Sequence, residues 1–282
     1  MPISLTDKPI VITGASSGIG LATAFECARA GMPVVLAARR EDRLRDAVDR
    51  IRSQGGRAVS IVCDVADPEA SAKMIDVCLS SFGSIYSVFA NAGYGIEKPV
   101  HEMPDADVRA MFEVNFFGTL NTIRPALPHM IRAGAGHVLV CSSCLAKFSI
   151  PYFSIYSATK AAQNHISRAM NLELRAKGIR VSSVHPIGTS TEFFQTAQRL
   201  SGDQAILEHT PAFFTQSPEK VAKAVVKCLR SPRPEVWTST FVRVGMALSG
   251  LVPRIADRAV HRMVRDYDRR AASNEAASVG AR

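Results

Sequence analysis

No apolar run in this 282-residue chain approaches the roughly 18 residues a membrane-spanning helix needs, which excludes a helical transmembrane protein. The N-terminus, Met1-Pro2-Ile3-Ser4-Leu5-Thr6-Asp7-Lys8, lacks the basic n-region and apolar stretch of a secretory leader, so a cytoplasmic protein is expected. Repeats and low-complexity tracts are missing, and no linker interrupts the chain before about residue 230. The six cysteines include a formal CxxC, Cys141-Ser142-Ser143-Cys144, but no second CxxC and no HxxxH accompanies it. No metal is therefore expected, and the thiols read as small core residues in a reducing compartment.

What is present is ordinary for a folded domain: 47% hydrophobic and 21% charged residues. The net charge of +9 is unevenly spread, because residues 230–282 hold ten arginines against five acids. No nucleic-acid fold motif or stacking platform accompanies that charge, so no nucleic-acid partner is expected. A phosphorylated ligand, an acidic partner or an anionic membrane surface accounts for it instead.

Continuous apolar runs at Ile10–Thr13, Val34–Ala38, Ala58–Cys63, Ile85–Ala90, His137–Ser142 and Arg180–His185 read as strands covered on both faces. Helical stretches near 18–30, 41–53, 68–82, 105–132 and 155–177 alternate with them. Asp67-Pro68 marks a helix start, and Gly31, Gly55, Gly134 and Gly178 mark stops. Glu235-Val236-Trp237-Thr238 suits a last strand. Repeated βα units predict an α/β fold: a doubly wound, Rossmann-type parallel sheet in a single domain, with helices on both faces.

The first strand runs into Thr13-Gly14-Ala15-Ser16-Ser17-Gly18-Ile19-Gly20, which opens a helix. Glycines let the backbone turn tightly and approach a pyrophosphate, and a helix N-terminus favours its charge. The amides of Ser16, Ser17 and Ile19 would face the phosphates. An NAD site usually carries a carboxylate about 20 residues further on. Here the second strand ends Ala38-Arg39-Arg40, with alanine near the acid's position and two guanidiniums suited to a 2′-phosphate. NADP(H) is the expected cofactor, ahead of NAD(H).

Tyr156 and Lys160, four apart, share one helix face. An ammonium beside a phenol favours the phenolate and draws it toward acid–base chemistry at neutral pH. Ser143 lies thirteen residues upstream at a strand end and can add a hydroxyl; its neighbour Ser142 is the alternative. A dinucleotide loop with a hydroxyl, a phenol and an amine points to carbonyl–alcohol oxidoreduction.

From about Pro9 to Val236 the chain resembles the short-chain dehydrogenase/reductase family. The resemblance is carried by TGASSGIG, Asn91-Ala92-Gly93 and Tyr156-x-x-x-Lys160, in order and at family spacing. It implies that Ser143, Tyr156, Lys160 and Asn115 are catalytic. Lys160 would also hold the nicotinamide ribose, and Asn115, in Val114-Asn115-Phe116-Phe117-Gly118, would hold a relay water. Gly14, Gly18, Gly20, Arg39, Arg40, Asp64, Val65, Asn91, Ala92, Gly93, Pro186, Gly188, Thr189 and Thr191 would line the cofactor, with Asp64 on the adenine. One motif departs: Ile187 replaces the glycine that usually follows Pro186. Homodimers or homotetramers are a family expectation.

Tyr94, Leu145, Phe148, Pro151, Tyr152, Phe153, Phe193 and Phe194 are candidate pocket residues, a mostly apolar set. They suggest a steroid-, lipid- or aromatic-like carbonyl or alcohol substrate. A 3-oxoacyl thioester reductase and a non-catalytic NADP-binding sensor or scaffold are the alternatives. The catalytic domain is placed at 1–240, with a substrate lid over about 189–216, an amphipathic helical extension at 241–272 and a disordered tail at 273–282. In the extension, Leu248, Leu251, Val252, Ile255, Ala259, Met263 and Tyr267 recur at helical spacing. Arg254, Arg258, Arg262, Arg265 and Arg269 lie largely on another face. Packing on the body or on a second subunit is the first reading of that stripe; peripheral membrane contact is the second.

Overall fold

The computed structural model describes residues 2–148, 150–201, 215–255, 257, 258, 260–262 and 265. Its centre is a seven-stranded parallel sheet built from β1 (Ile10–Thr13), β2 (Val34–Ala38), β3 (Ala58–Val62), β4 (Ser87–Ala90), β5 (Gly136–Cys141), β6 (Ile179–His185) and β9 (Glu235–Trp237). Their order is β3-β2-β1-β4-β5-β6-β9. The chain winds outward from β1 in one direction and then from β4 in the other. This reversal leaves a crevice at the carboxyl ends of β1 and β4, where open α/β sheets bind ligands.

Helices cover both faces. Alternate strand residues point to opposite faces, so Ile10 and Ile12 join one core cluster and Val11 the other. The first cluster is closed by α1 (Gly18–Arg29), α2 (Glu41–Ser53) and α9 (Pro218–Arg230); the second is closed mainly by α3 (Pro68–Phe82), α6 (Leu127–Ala133) and α7 (Ser154–Arg175). Local chemistry sets the ends as expected. The Asp67 carboxylate accepts from the amides of Glu69 and Ala70 with Pro68 in the first turn. Gly134 and Gly178 both have positive φ, and a Cβ on Gly178 would lie 1.9 Å from the Gly134 carbonyl oxygen.

Two expectations need correction. The helix predicted over 105–132 is broken into α4 (Asp105–Phe112), a π-turn (Glu113–Phe117), α5 (Gly118–Ile123) and α6. Pro125 and Pro128 cannot supply the amides a continuous helix requires there. After β6 the chain forms β7 (Gly188–Thr189), α8 (Glu192–Ser201) and β8 (Thr215–Gln216), with β7 and β8 paired in a small parallel sheet. The second correction concerns α10 (Thr240–Leu251). It packs through Val242 and Met246, while Leu248, Leu251, Val252 and Ile255 are exposed rather than packed on the body. The predicted tail, the remainder of the stripe (Ala259, Met263, Tyr267) and residues 202–214 of the predicted lid lie outside the described residues.

Two buried histidines tie the strands together. His137 on β5 bonds the Ser182 hydroxyl at 2.8 Å, and its Nδ1 has no partner. His185 on β6 stacks on Trp237 with ring centroids 4.5 Å apart. Burial holds their pKa values at about 3 and about 4, well below the usual 6.5. Both stay neutral in the native state while the unfolded chain takes up protons below about pH 6.5. Stability is therefore indifferent to them above that pH and falls on acidification by about 1.4 kcal/mol per unit per histidine. Denaturant titrations should show a loss of about 4 kcal/mol between about pH 7 and pH 5. His137→Gln should remove about half of that slope, and a flat profile would contradict the neutral assignment.

Candidate active site

The glycine turn sits at the end of β1. The Thr13 hydroxyl accepts from the amides of Asn91 and Ala92 at 3.1 and 3.2 Å, and the Asn91 side chain donates to the Thr13 carbonyl at 3.0 Å. These bonds lock the ends of β1 and β4 together. Gly14 and Gly18 have positive φ, and a Cβ on Gly20 would stand 2.4 Å from the Gly14 carbonyl oxygen. Only glycine fits so close an approach. The first turn of α1 has neither a capping side chain nor an acidic residue, so its amide end is left for another anion.

Cations gather beside this turn. Arg40 donates to the hydroxyls of Ser16 (3.2 and 2.9 Å) and Ser17 (2.9 Å), and to Glu192 on α8 at 2.7 Å. Arg43 also bonds Glu192. Hydrogen bonds from Arg43 and then Arg40 hold the Glu192 carboxyl down at about 2. Of the two arginines after Ala38, Arg40 is the one that reaches the glycine turn. Arg39 is 78% exposed, with its guanidinium 3.9 Å from Asp64. Asp64 accepts from the Ala66 amide, and Val65 is buried where a Cβ on Gly118 would strike it. This donor set fits a phosphate-bearing dinucleotide, whose pyrophosphate Gly14, Ser16, Ser17, Gly18 and Gly20 would meet.

At the carboxyl end of β5, three side chains meet in a desolvated pocket. Ser143 and Tyr156 are both buried, and the Ser143 hydroxyl accepts from the Leu145 amide at 3.1 Å. Ser142 is used differently, donating to the Lys160 carbonyl at 2.8 Å. The Lys160 amine donates to the Cys141 carbonyl at 2.8 Å and lies 5.5 Å from the Tyr156 ring centroid. Burial pushes Lys160 down to about 8. It pushes Tyr156 upward. The amine was expected to lower the phenol; in the folded chain, loss of hydration outweighs it. The nearby Cys141 and Cys144 are buried free thiols, as are the other four cysteines.

Asn115 sits in the π-turn, where its side chain accepts from the Tyr94 amide (3.0 Å) and donates to the Tyr94 carbonyl (2.9 Å) and the Thr159 hydroxyl (3.0 Å). Its main-chain oxygen accepts from Gln163 at 2.5 Å and Thr119 at 2.7 Å, which fills both lone pairs. A Cβ on Gly93 would stand 2.9 Å from Asn115 Oδ1 and 3.4 Å from the Lys160 amine, so this turn passes between the two.

Around Tyr156 lies an apolar cluster that includes Tyr94, Leu145, Phe153 and Phe193 from the predicted pocket. The Phe153 and Phe193 rings stand 5.9 and 5.4 Å from that of Tyr156. Sequence reading missed Ile96, Met103, Val108 and Met111, which β4–α4 connectivity and α4 bring in. It also missed Gly95, whose Cβ would press on both Phe193 and Tyr156. Phe148, Pro151 and Tyr152 fall outside this cluster; Tyr152 has φ of 68° and its carbonyl accepts from the Lys98 amide. Phe194 lies in α8, with its side chain outside the described set.

After β6, Pro186 accepts the Cys144 amide. Gly188 and Thr189 form β7, with the Thr189 hydroxyl donating to Ile187. Thr191 reaches the glycine turn, 2.9 Å from where a Gly18 Cβ would be. Ile187 is buried with Cys144 and Val242, so the departure from glycine has a packing reason: its side chain seats α10.

A hydroxyl, a phenol and an amine beside a phosphate-binding turn, on a doubly wound sheet, define a dinucleotide-dependent oxidoreductase. Residues 8–200 match the family model described as short chain dehydrogenase, and the chain belongs to that family. The 7alpha-hydroxysteroid dehydrogenase of Escherichia coli strain K12 is 31% identical over 224 residues, which cover 79% of this chain and 88% of that one. A short chain dehydrogenase/reductase from Burkholderia phymatum in complex with NAD superposes with a TM-score of 0.80 at 25% identity, covering 90% of this chain and 96% of that one. L-Sorbose reductase from Gluconobacter frateurii, complexed with NADPH and L-sorbose, gives 0.75 at 30% identity, covering 84% and 97%. These neighbours support a nicotinamide dinucleotide as the cofactor.

If Ile187 is the seat of α10, Ile187→Gly should destabilise the protein by about 3 kcal/mol. It should also speed proteolytic cleavage near residues 240–255. Unchanged stability and cleavage would remove that role.

Proposed function

We propose that this oxidoreductase interconverts a carbonyl and an alcohol on a hydrophobic small molecule, with NADP(H) as its cofactor. The carrying observation is the desolvated set of Ser143, Tyr156 and Lys160 at the end of β5, ringed by apolar side chains. The nicotinamide, when bound, supplies or accepts the hydride. In the reducing direction Tyr156 gives a proton to the substrate oxygen; its raised pKa keeps the phenol protonated at neutral pH. Ser143 donates a hydrogen bond to the same oxygen and stabilises the charge that develops there. Lys160, protonated below about pH 8, provides the positive charge that eases loss of the phenolic proton and holds the ribose hydroxyls. Asn115 positions this group: its side chain pins the Tyr94 backbone and Thr159, one residue before Lys160.

NADP(H) is preferred because β2 ends in Ala38, with no carboxylate, followed by Arg39 and Arg40. Arg40 already shares its guanidinium with the Ser16 and Ser17 hydroxyls, and a 2′-phosphate would meet the same donors. The substrate class is read from Tyr94, Leu145 and Phe193, partly buried apolar side chains packed against the cluster around Tyr156. A relative acting on a hydroxysteroid is consistent with that.

Tyr156→Phe should lower turnover of an aromatic or steroid ketone by about a hundredfold or more, while NADPH binding, read by nicotinamide fluorescence, stays close to the parent's. Equal turnover would sink the assignment. Carbonyl reduction should also fall as pH rises through about 8, where Lys160 loses its proton. A rate that is level through that pH would exclude its charge from the mechanism. Replacing Arg39 and Arg40 together by Ala should cost NADPH affinity about tenfold or more and leave NADH nearly unchanged.

A further inference from the structure

α10 carries apolar side chains on two faces. One, with Val242 and Met246, packs on Ile187 and on the turn Cys144–Ala146 that follows Ser143. The other faces away from the body. Phe241, Val244, Leu248 and Leu251 recur there at alternating spacings of three and four residues, and Ile255 follows just beyond the end of the helix. All five are exposed, Phe241 and Leu251 at 77%. Such a stripe costs free energy in water, and a contiguous one marks a contact surface. No described helix is long and apolar enough to cross a membrane.

Charge decides what covers the stripe. Between residues 240 and 265 the chain has five arginines, at 243, 254, 258, 262 and 265, and a single acid, Asp257. All five arginines are exposed. A second copy laid on this face would bring a second set of arginines against the first, with one carboxylate on each side to offset them. An anionic lipid surface takes the apolar side chains into its headgroup boundary and pairs the guanidiniums with phosphates. We infer that the exposed face of α10 and the arginines following it dock this protein on an anionic membrane surface. The inference is independent of the reaction assigned above.

Flotation of the full chain with vesicles tests it. Protein should float with phosphatidylcholine vesicles containing phosphatidylglycerol, stay down with phosphatidylcholine alone, and be released by high salt. The triple variant Phe241→Glu, Leu248→Glu, Leu251→Glu should no longer float, yet keep the parent's melting temperature and NADPH binding. Each of Arg254→Gln and Arg258→Gln should lower the vesicle partition coefficient about fivefold. A parent chain that does not float with anionic vesicles overturns the inference, as does a triple variant that floats unchanged. A parent oligomer that the triple variant splits in lipid-free solution also overturns it, by showing that a second copy covers the stripe.

Discussion

Lys160 sits with its amine in a pocket that excludes nearly all water, and an ammonium deprived of hydration costs several kcal/mol unless the protein replaces it. The Cys141 carbonyl, 2.8 Å away, is the replacement. Holding it there requires α7 to be fixed against the end of β5, which the Ser142 hydroxyl does by bonding the Lys160 carbonyl. Once that helix is seated, Tyr156 follows one turn earlier on the same face, and Ser143 meets it from the strand. Asn115 in the π-turn then fastens the helix from the other side through Thr159. A π-turn at this point, rather than continuous helix, brings the asparagine within reach of both Tyr94 and Thr159.

The phosphate-binding half of the cleft obeys a different constraint, close backbone approach. The glycines and the Thr13–Asn91 bonds hold two strand ends and a helix N-terminus within contact distance. The electrostatics there lean positive, and Glu192 is the carboxylate that offsets Arg40 and Arg43. Because Glu192 begins α8 and the adjacent Phe193 rests on Tyr156, this one helix touches both halves of the site. An exposed ion pair of this kind contributes little by itself, but it fixes where α8 starts.

The loop after β6 links the site to the end of the chain. Ile187 fills the space that a glycine would leave open and receives Val242. His185, neutral and stacked on Trp237, presents its Nδ1 proton to the Ser143 carbonyl at 2.9 Å, since a carbonyl can only accept. The backbone of the serine is thereby anchored to β6 and β9, and α10 packs over the turn just beyond it.

The strands, most of the helix ends, the glycine turn and the serine–tyrosine–lysine set were all legible in the sequence. Each rests on short-range rules: apolar runs, caps, and residues four apart on a helix. The break between α5 and α6 was signalled by Pro125 and Pro128, but helical periodicity on both sides masked it, and no residue type signalled the π-turn after Phe112. Tertiary structure alone decided which arginine meets the glycine turn, which apolar residues from α4 surround Tyr156, and that burial rather than Lys160 dominates the phenol's proton affinity. It alone also showed that one face of α10 packs while the other is exposed. Those outcomes depend on distances between segments far apart in the chain and on how much water each group loses, and neither can be read from local spacing.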